Sequence, residues 1–428
     1  MSLLRSLSRH RLAFAPGRFI QTQNAFPDPM TGELMSPTPD IQVKVQSRLV
    51  NHEPTHSSAA STANNTEFEP EDGAALTDTR IRAHTDHMLT VPWDAVGGWG
   101  VPEIKPYGPL QLEPSATVLH YAQTAFEGMK AYRDEAGKVT LFRPDMNMKR
   151  MNSSAKRLAL PTFDGDALLD LIKHLIRIDK HWIPQEAGHS LYVRPTIIGN
   201  QKAIGVGPPN EALLFVIMSP VGPYYASGFK PIALHGTTEY IRAAPGGTGA
   251  YKLGINYASG VMPQKMVGAL GYTQNLWLHG PEHELTEVGT MNMFIVFKST
   301  DGNTLELVTP PLDGMILPGV TRDSVLTLAR EHASGANTLP HLPANLVISE
   351  RRVTMQEVKD AAREGRLVEM FGAGTAAVIS PVNRIGYMGE DVHIPTGEDG
   401  MGPVSRPIWT ELVGRQWGKI PSEWSVEV

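Results

Sequence analysis

The apolar runs of this sequence are short, and their length constrains the fold more than any other feature. The longest run, Ala212 to Met218, has the length of a buried strand. No run approaches the roughly 20 residues that a helix needs to span a bilayer, so we expect no membrane contact. Ala116 to Ala122 and Leu191 to Ile198 also have strand patterns, whereas Phe163 to Ile178 has apolar residues at helical spacing. Strands and helices mixed in this order predict an α/β fold.

Composition excludes several kinds of site. The sequence has no cysteine, which rules out disulfides, thiolate metal sites and cysteine nucleophiles. A net charge of −6 gives no general footprint for nucleic acid. His279, Glu282 and His283 match the H-x-x-E-H pattern of a zinc-peptidase class, but the intervening Gly280-Pro281 would break the helix that this pattern requires. We therefore expect no metal and no nucleic acid.

The N-terminus differs in composition from the rest of the chain. Residues 1–27 contain several serines and no acid before Asp28. Their arginines are Arg5, Arg9, Arg11 and Arg18. This composition predicts a mitochondrial transit peptide and a location in the matrix, and the alternative is a basic tail without targeting meaning. Residues 28–79 are rich in Pro, Ser and Thr and have too few large apolar side chains to fold alone, so we expect a poorly ordered segment.

Two further segments of strands and helices follow. We expect a small α/β domain over 80–220 and a larger domain over 232–428. The Pro- and Gly-rich residues between them, 221–231, predict an interdomain connection.

A single lysine, Lys252, lies among small residues in the stretch GGTGAYKLGINYASG, from Gly246 to Gly260. Glycines let a backbone approach a ligand closely, and a lysine in a dry pocket can act as an amine nucleophile. Tyr257 follows five positions later. Taken alone, the stretch also fits a solvated lysine in a surface loop. The chemical interpretation therefore depends on partners elsewhere in the chain.

Three charged residues are candidate partners. Arg150 lies in a segment with a helix start at Pro144, where the simpler interpretation is a solvated or salt-bridged arginine. Arg194 interrupts an apolar strand, and a buried arginine needs an anion from a protein carboxylate or a substrate. Glu287 and Thr290 precede an apolar strand, where the simpler interpretation of Glu287 is an exposed acid at a strand end.

Two turns have the pattern of anion sites. The segment ILPGVTRD precedes a helix, with Thr321 as the expected N-cap and free backbone N–H groups at the helix start. The strand at Leu367–Phe371 leads into Gly-Ala-Gly-Thr-Ala at 372–376, where N–H groups and the Thr375 hydroxyl can cradle a phosphate. No Gly-Lys-Ser/Thr follows and the third glycine of a dinucleotide fingerprint is missing, so neither nucleotide motif is present.

Pyridoxal phosphate needs such a set of groups. Its aldehyde needs an amine, its phosphate needs amides, a hydroxyl and a cation, its ring nitrogen needs a carboxylate, and its ring oxygen needs a donor. Lys252, the two turns, Arg150, Glu287 and Tyr257 supply these groups in turn.

From about Arg80 to the C-terminus the sequence resembles the branched-chain amino-acid aminotransferases, class IV pyridoxal-phosphate enzymes, in their eukaryotic mitochondrial form. The motifs that carry the resemblance are LHYAQTAFEGMKAYR, FRPDMNMKRMNSSAKRL, SLYVRPTIIGN, GGTGAYKLGINY, LTEVGTMN, LVTPPLDGMILPGVTR and FGAGTA. The resemblance implies fold type IV, an α/β (α+β) protein with a small α/β sandwich domain and a larger pseudo-barrel α/β domain. It also implies at least a homodimer.

The resemblance implies a role for each matching position. Lys252 would form the Schiff base, Glu287 would pair with the pyridine nitrogen, and Tyr257 would donate to the ring oxygen. The other cofactor-binding positions would be Arg150, Thr290, Val320, Thr321 and Thr375. The substrate-binding positions would be Tyr121, Phe126, Tyr192, Arg194, Tyr224 and Ala376, with Tyr121 contributed across the dimer.

The implied reaction moves an amino group between leucine, isoleucine or valine and 2-oxoglutarate by a ping-pong route, with glutamate and 2-oxo acids as products. Arg194 would meet the distal carboxylate of glutamate. Three alternatives stay open: another class IV enzyme, of the D-amino-acid aminotransferase or aminodeoxychorismate lyase type; a catalytically silent binding homologue; and an interaction protein that uses its proline-rich segment.

Overall fold

The computed structural model describes residues 83–186, 188–222 and 230–428, and before residue 83 only the short strand Lys44–Val45. The predicted transit peptide and most of the 28–79 segment lie outside the described residues. So does most of the predicted connection at 221–231, including Tyr224.

The described strands and helices are numbered here in chain order. The strands are β1 Lys44–Val45, β2 His87–Asp94, β3 Gly98–Trp99, β4 Glu103–Pro106, β5 Thr124–Phe126, β6 Met129–Arg133, β7 Val139–Phe142, β8 Ser190–Gly199, β9 Glu211–Val221, β10 Ile232–Thr237, β11 Gln274–His279, β12 Glu284–Val288, β13 Met291–Lys298, β14 Leu305–Thr309, β15 Leu346–Glu350, β16 Leu367–Gly374, β17 Val378–Tyr387, β18 Glu390–His393 and β19 Ser425–Glu427. The helices are α1 Thr117–Tyr121, α2 Pro144–Arg157, α3 Gly165–Ile178, α4 Gly254–Ala258, α5 Val261–Ala269, α6 Val320–Ser334, α7 Met355–Arg363 and α8 Ser405–Gln416, with a 3-10 turn at Lys180–Trp182.

The first sheet has ten strands in the order β1-β4-β2-β9-β8-β6-β7-β19, with β3 beside β2 and β5 beside β8. Its pairs are antiparallel except β1 with β4. Helices α2 and α3 share its core through Met148, Met151, Ile172 and Leu175. The Asp164 carboxylate starts α3 by accepting from two N–H groups of the first turn, and the apolar face of α3 then lies inward.

The second sheet closes on itself. Strands β10, β11, β12, β13, β16 and β17 form a ring, because β12 pairs with the first residues of β13 as well as with β11. Beyond that pairing, β14 takes over the same edge of β13 and is followed by β15, while β18 extends β17. Six strands in a ring are the barrel that fold type IV implies, so the predicted fold class is confirmed.

Two apolar cores serve the barrel. One is built from strand residues such as Leu234, Leu276 and Ile295, together with Val358 of α7. The other lies between the barrel and helices α6 and α8, and includes Phe294 stacked on Phe371 with ring centroids 5.1 Å apart. Within the described ranges no helix is long and apolar enough to cross a membrane.

The strand predicted at Ala116–Ala122 is wrong. Residues Thr117–Tyr121 form helix α1, which ends at Ala122 in the left-handed region (φ 51°). Leu119 is 58% exposed, so this apolar run lies at the surface and not in a sheet. A run of seven residues fits either structure, and periodicity alone does not separate them.

The predicted N-cap at Thr321 is also wrong. Helix α6 begins at Val320, with Gly319 as its N-cap and no capping side chain. A Cβ at residue 319 would lie 2.1 Å from Asn292 Oδ1, so close packing requires glycine here. Residues 280–283 form the turn between β11 and β12 and not the helix that the zinc-peptidase pattern requires. Across the described residues no cluster of three His, Asp or Glu side chains is arranged to hold a metal.

Candidate active site

The backbone of Lys252 lies just before α4, where it is bonded to α2 and to the first sheet. Its N–H donates to Ser154 Oγ at 2.8 Å, and its carbonyl accepts from the N–H of Phe126 at 3.1 Å. This approach needs Gly254, because a Cβ there would lie 2.5 Å from Thr124 Cγ2. Lys252 is therefore fixed against two packed elements and does not lie in a loose surface loop.

The side chain of Lys252 is aimed by aromatic residues. Its ammonium donates to Tyr257 Oη at 3.0 Å and lies 5.0 Å from the centre of the Phe126 ring. The Phe126 and Tyr257 rings meet edge to face at 4.9 Å. The structure thus brings together three of the predicted site residues.

Glu287 is 2% exposed and lies on β12. Its Oε2 accepts from Arg242 Nε at 2.7 Å. Its Oε1 accepts from the N–H of Leu317 at 2.7 Å and from Asn292 Nδ2 at 3.3 Å. The simpler interpretation, an exposed acid at a strand end, is wrong.

Burial raises the pKa of Glu287 above its ordinary value of 4.5, and the opposing effect of Arg242 and the Leu317 N–H does not cancel it. Lys252 and Arg150 also favour the carboxylate through their charges, which places both within electrostatic range. Because burial disfavours the charged form of Glu287, a further cationic donor next to it would stabilise the carboxylate.

Arg150 lies in α2 and is buried beside a second glutamate. Its Nε donates to Glu127 Oε1 at 2.7 Å and its Nη2 to Glu127 Oε2 at 2.8 Å, a two-point contact. Its Nη1 donates to the carbonyl of Pro318 at 3.0 Å, directly before α6. Of the two simpler interpretations, the solvated arginine is wrong, and the salt-bridged arginine is confirmed by the contact with Glu127.

Glu127 is fully buried, which by itself would raise its pKa, but the charge and hydrogen bonds of Arg150 outweigh burial and lower the pKa below 4.5. Asn147 Nδ2 adds a donor at 2.8 Å from Oε2. This carboxylate is ionised and its oxygens are occupied, so it holds Arg150 in place.

The start of α6 lies beside that arginine. Val320 and Thr321 are buried, and the first N–H groups of a helix have no partner inside it. A cavity is lined by Val320, Thr321, Thr375, Asn147 and Lys130. Two turns distant in sequence, the α6 start and the end of β16, therefore meet at one cavity, as expected for a shared anion site.

Lys130 fixes the second of these turns. Its ammonium donates to the carbonyl of Ala376 at 2.8 Å. The hairpin turn at 375–377 ends at Val378 in the left-handed region (φ 62°), which a β-branched residue rarely adopts. The turn that carries Thr375 and Ala376 is thus held by a side chain from the first sheet.

Arg194 lies on β8 among aromatic rings. Its guanidinium carbon is 4.8 Å from the Phe126 ring centre and 5.0 Å from that of Tyr192, and its Nη2 donates to Tyr192 Oη at 2.9 Å. Its Nε is buried and has no hydrogen-bond partner among the described residues. A buried N–H group without a partner is energetically unfavourable, and an acceptor such as a ligand carboxylate would satisfy it.

Three predicted positions are not brought into this cluster. Tyr121 is 39% exposed and its hydroxyl donates to the carbonyl of Ile204 in an exposed loop. Thr290 lies exposed in the turn between β12 and β13. Tyr224 lies outside the described residues.

Sequence reasoning missed five residues that support the site: Glu127, Asn147, Arg242, Asn292 and Lys130. One signal for Glu127 was available, since an apolar-flanked acid is a partner for a buried arginine. No local pattern marks Arg242, because it lies in an irregular segment before the glycine-rich stretch.

Comparisons with known proteins show the family to which the chain belongs. The family model for amino-transferase class IV matches residues 124–385, more than half of the chain. The mitochondrial branched-chain-amino-acid aminotransferase of Saccharomyces cerevisiae is 52% identical over 347 residues, covering 80% of this chain and 86% of that protein. The cytosolic branched-chain-amino-acid aminotransferase of Mus musculus is 48% identical over 345 residues, covering 80% of this chain and 86% of that protein.

A solved structure shows the same architecture. The branched-chain amino acid aminotransferase of Escherichia coli superposes with a TM-score of 0.61 at 25% identity, covering 80% of this chain and 99% of that one. Class IV aminotransferases use pyridoxal phosphate, the cofactor for which the Lys252 cluster was predicted. On the match to the family model and the identity to these relatives, this chain belongs to the class IV aminotransferase family.

Proposed function

We propose that this chain moves the amino group between branched-chain L-amino acids and 2-oxoglutarate, with pyridoxal phosphate bound at Lys252. The observation that carries the proposal is that Glu287 is buried and lies within electrostatic range of both Lys252 and Arg150. The names of the relatives supply the substrate class.

The donors and acceptors present fit the cofactor. Five N–H groups belong to a guanidinium, and Arg150 uses three in its contacts with Glu127 and Pro318, which leaves two for a phosphate. A carboxylate offers about four acceptor positions, and Glu287 receives three donors, which leaves room for the N–H of a protonated ring.

Each residue then has a defined task. The bound cofactor supplies an aldehyde that bonds to amines and a ring that takes up an electron pair. Lys252 would hold the cofactor through its Nζ, and the same amine, once free, would take the proton from the substrate Cα as a general base and later give it up as a general acid. Glu287 would accept the N–H of the ring nitrogen, and Tyr257 Oη, 3.0 Å from Lys252 Nζ, would donate to the ring oxygen.

The residues around Arg194 suit two kinds of side chain in one pocket. The rings of Phe126 and Tyr192 offer apolar walls to a branched aliphatic chain. The unpaired Nε of Arg194 offers a charge-assisted bond to the distal carboxylate of glutamate or 2-oxoglutarate. This pairing favours a branched-chain transaminase over other class IV enzymes.

The test is the absorption spectrum of the purified full chain with bound pyridoxal phosphate. We expect the band of the lysine-bound cofactor to disappear on addition of L-leucine and to return with 2-oxoglutarate. A response to D-alanine in place of L-leucine would assign the chain to the other class IV enzymes. A band that ignores every amino acid would make it a silent binding homologue.

The variant Lys252→Ala tests the role of the lysine itself. Because the amine is both the attachment point and the proton carrier, turnover should fall to the background of free cofactor while the far-ultraviolet circular dichroism stays unchanged. Retained transamination above that background would contradict the assignment of Lys252.

We also propose that a second copy of the chain covers Tyr121 and its surroundings. Leu119, Tyr121, Ile204 and Val206 are between 39% and 78% exposed and lie on α1 and the loop that follows β8. Apolar side chains grouped at a surface favour association. Light scattering should report a dimer, and Leu119→Glu with Val206→Glu should yield monomer; a monomeric wild type would contradict the proposal.

The N-terminal composition supports a mitochondrial location, although relatives are named both mitochondrial and cytosolic. Fusing residues 1–27 to a fluorescent protein should direct it to mitochondria. Changing the four arginines to glutamine should leave it in the cytosol. Cytosolic fluorescence of the unchanged fusion would contradict a transit peptide.

A further inference from the structure

The last twelve residues of the chain connect the barrel to the first sheet. Helix α8 packs in the core of the barrel through Ile408 and Leu412. Residues 417–428 then lead to β19, which pairs antiparallel with β7 through Ser425–Phe142 and two further residue pairs. The N–H of Val428 adds a bond to the carbonyl of Val139 at 3.0 Å. We call residues 417–428 the C-terminal strap.

Trp424 is the anchor of the strap. Two guanidinium groups lie over its ring, with the Arg143 and Arg415 carbons each 4.5 Å from the ring centre. The Phe142 ring meets it edge to face at 5.8 Å and 82°. Its carbonyl accepts from the N–H of Arg143 at 2.7 Å. One residue of the strap therefore holds Arg143 through both its backbone and its ring.

Arg143 in turn connects two helices. It is the N-cap of α2, the helix that carries Arg150, and it has a left-handed backbone (φ 48°). Its Nη1 donates to Ser324 Oγ at 2.8 Å and lies 2.7 Å from Asp323 Oδ2. These residues lie in the first two turns of α6, and Ser324 Oγ donates to the carbonyl of Val320 at 2.8 Å.

The two helices that Arg143 connects both provide groups of the assigned phosphate site. Arg150 belongs to α2, whereas the N–H groups of Val320 and Thr321 belong to α6. Binding groups must be held within about 0.5 Å of their productive positions. Nothing in the strap lines the phosphate site itself, so its effect on binding has to pass through the residues that Trp424 contacts, and of these Arg143 is the one that joins the two helices.

We propose that the C-terminal strap is a positioning element for the cofactor phosphate, acting through Trp424 and Arg143 on the spacing of α2 and α6. The inference rests on the proposed function, since it takes Arg150 and the start of α6 as the phosphate contacts. Trp424 and Arg143 are positioning residues.

The experiment compares the affinity of the full-length apoprotein for pyridoxal phosphate and for pyridoxal. Both ligands carry the aldehyde that reacts with Lys252, and they differ only in the phosphate. We expect Trp424→Ala to weaken pyridoxal phosphate binding about tenfold and to leave pyridoxal binding unchanged, because only the phosphate end is displaced. Trp424→Phe keeps an aromatic face for the arginines and should recover most of the loss.

Trp99→Ala is the matched control. Trp99 is also partly buried and meets a phenylalanine edge to face, Phe163 at 6.4 Å and 83°, but it packs on the first core away from α6. This variant should lower the melting temperature without changing the ratio of the two affinities.

Each other outcome overturns the proposal. Equal losses for both ligands in Trp424→Ala would make the strap a general stabilising element. Unchanged affinities, or no recovery in Trp424→Phe, would remove Trp424 from any positioning role. A wild type that binds both ligands equally would show instead that the assigned phosphate site is wrong, and this result is visible without any variant.

Discussion

Two buried glutamate–arginine pairs lie near Lys252, and they differ in how well each carboxylate is satisfied. Glu127 receives two guanidinium N–H groups and an amide, and its pKa lies below 4.5. Glu287 receives a single guanidinium N–H, and its pKa lies above 4.5 because burial outweighs its partners. Similar burial thus produces opposite shifts, and the number of charged contacts decides the direction.

With the proposed function, the difference separates a structural pair from a functional one. Glu127 has all its interactions inside the protein, so it serves to hold Arg150. Glu287 is under-compensated, so a protonated ring nitrogen placed beside it would supply the missing positive donor. The carboxylate with the less complete compensation inside the protein is therefore the one assigned to the cofactor.

The largest expected effect tests the functional side of this comparison. Glu287→Gln keeps the shape of the side chain but cannot hold a proton on the ring nitrogen, so kcat should fall roughly 1,000-fold. Steady-state kinetics with L-leucine and 2-oxoglutarate measure this, with the cofactor content of each preparation as the control. A loss of less than about tenfold would remove Glu287 from the ring-nitrogen role.

For the Glu127–Arg150 pair we predict that breaking the contact lowers the stability of the fold. Glu127→Gln leaves the buried Arg150 poorly compensated and should lower the free energy of unfolding by about 3 kcal/mol. Urea unfolding measures it. The matched control is Glu306→Gln: Glu306 also makes a two-point contact with an arginine, Arg351, at 2.9 and 2.8 Å, but the two side chains are 27% and 37% exposed. That control should cost about 1 kcal/mol or less.

The pH dependence of the stability of Glu127→Gln shows whether the pKa of Glu127 is lowered or raised in the folded protein. Because the pKa of Glu127 is lowered from 4.5 in the folded protein, its stabilisation is complete above pH 4.5 and is lost as the pH falls through the folded pKa. The stability gap between wild type and Glu127→Gln should therefore stay constant at neutral pH and narrow in acid. A gap that widens in acid would mean that the carboxyl is protonated in the native protein.

The smallest effect comes from the partner of Glu287. Arg242→Met removes the guanidinium that opposes burial, so the pKa of Glu287 should rise further. Cofactor binding needs the ionised carboxylate of Glu287. The pH below which the affinity for pyridoxal phosphate falls should therefore move upward, and near that pH the affinity should drop about tenfold. Titrating pyridoxal phosphate binding at a series of pH values measures this shift. An unchanged pH dependence of the affinity would show that Arg242 does not control the pKa of Glu287.

Much of this site was predictable because its chemistry is local in sequence. Lys252 and Tyr257 lie five positions apart, just before and within the short helix α4, and the start of α6 is marked by Pro-Gly before an apolar segment. What was not predictable depends on packing. Gly319 replaces a hydroxyl cap because Asn292 comes close to it, and α1 forms where an apolar run meets solvent.

The partners of the buried charged groups were the part of the site that the sequence predicted least. The contact of Arg150 with Glu127 joins residues 23 positions apart, and that of Glu287 with Arg242 joins two strand-and-loop segments. A sequence shows that a buried arginine needs an anion but not which carboxylate supplies it. Only the closed barrel and its junction with the first sheet decide that choice.

The most direct test of the two-pair account is ¹⁵N NMR of pyridoxal phosphate labelled at its ring nitrogen and bound to the full chain. We predict a protonated nitrogen in the wild type and in Glu127→Gln, and an unprotonated one in Glu287→Gln. A protonated nitrogen in Glu287→Gln, or an unprotonated one in the wild type, would contradict the assignment of Glu287 and with it the distinction between the two pairs.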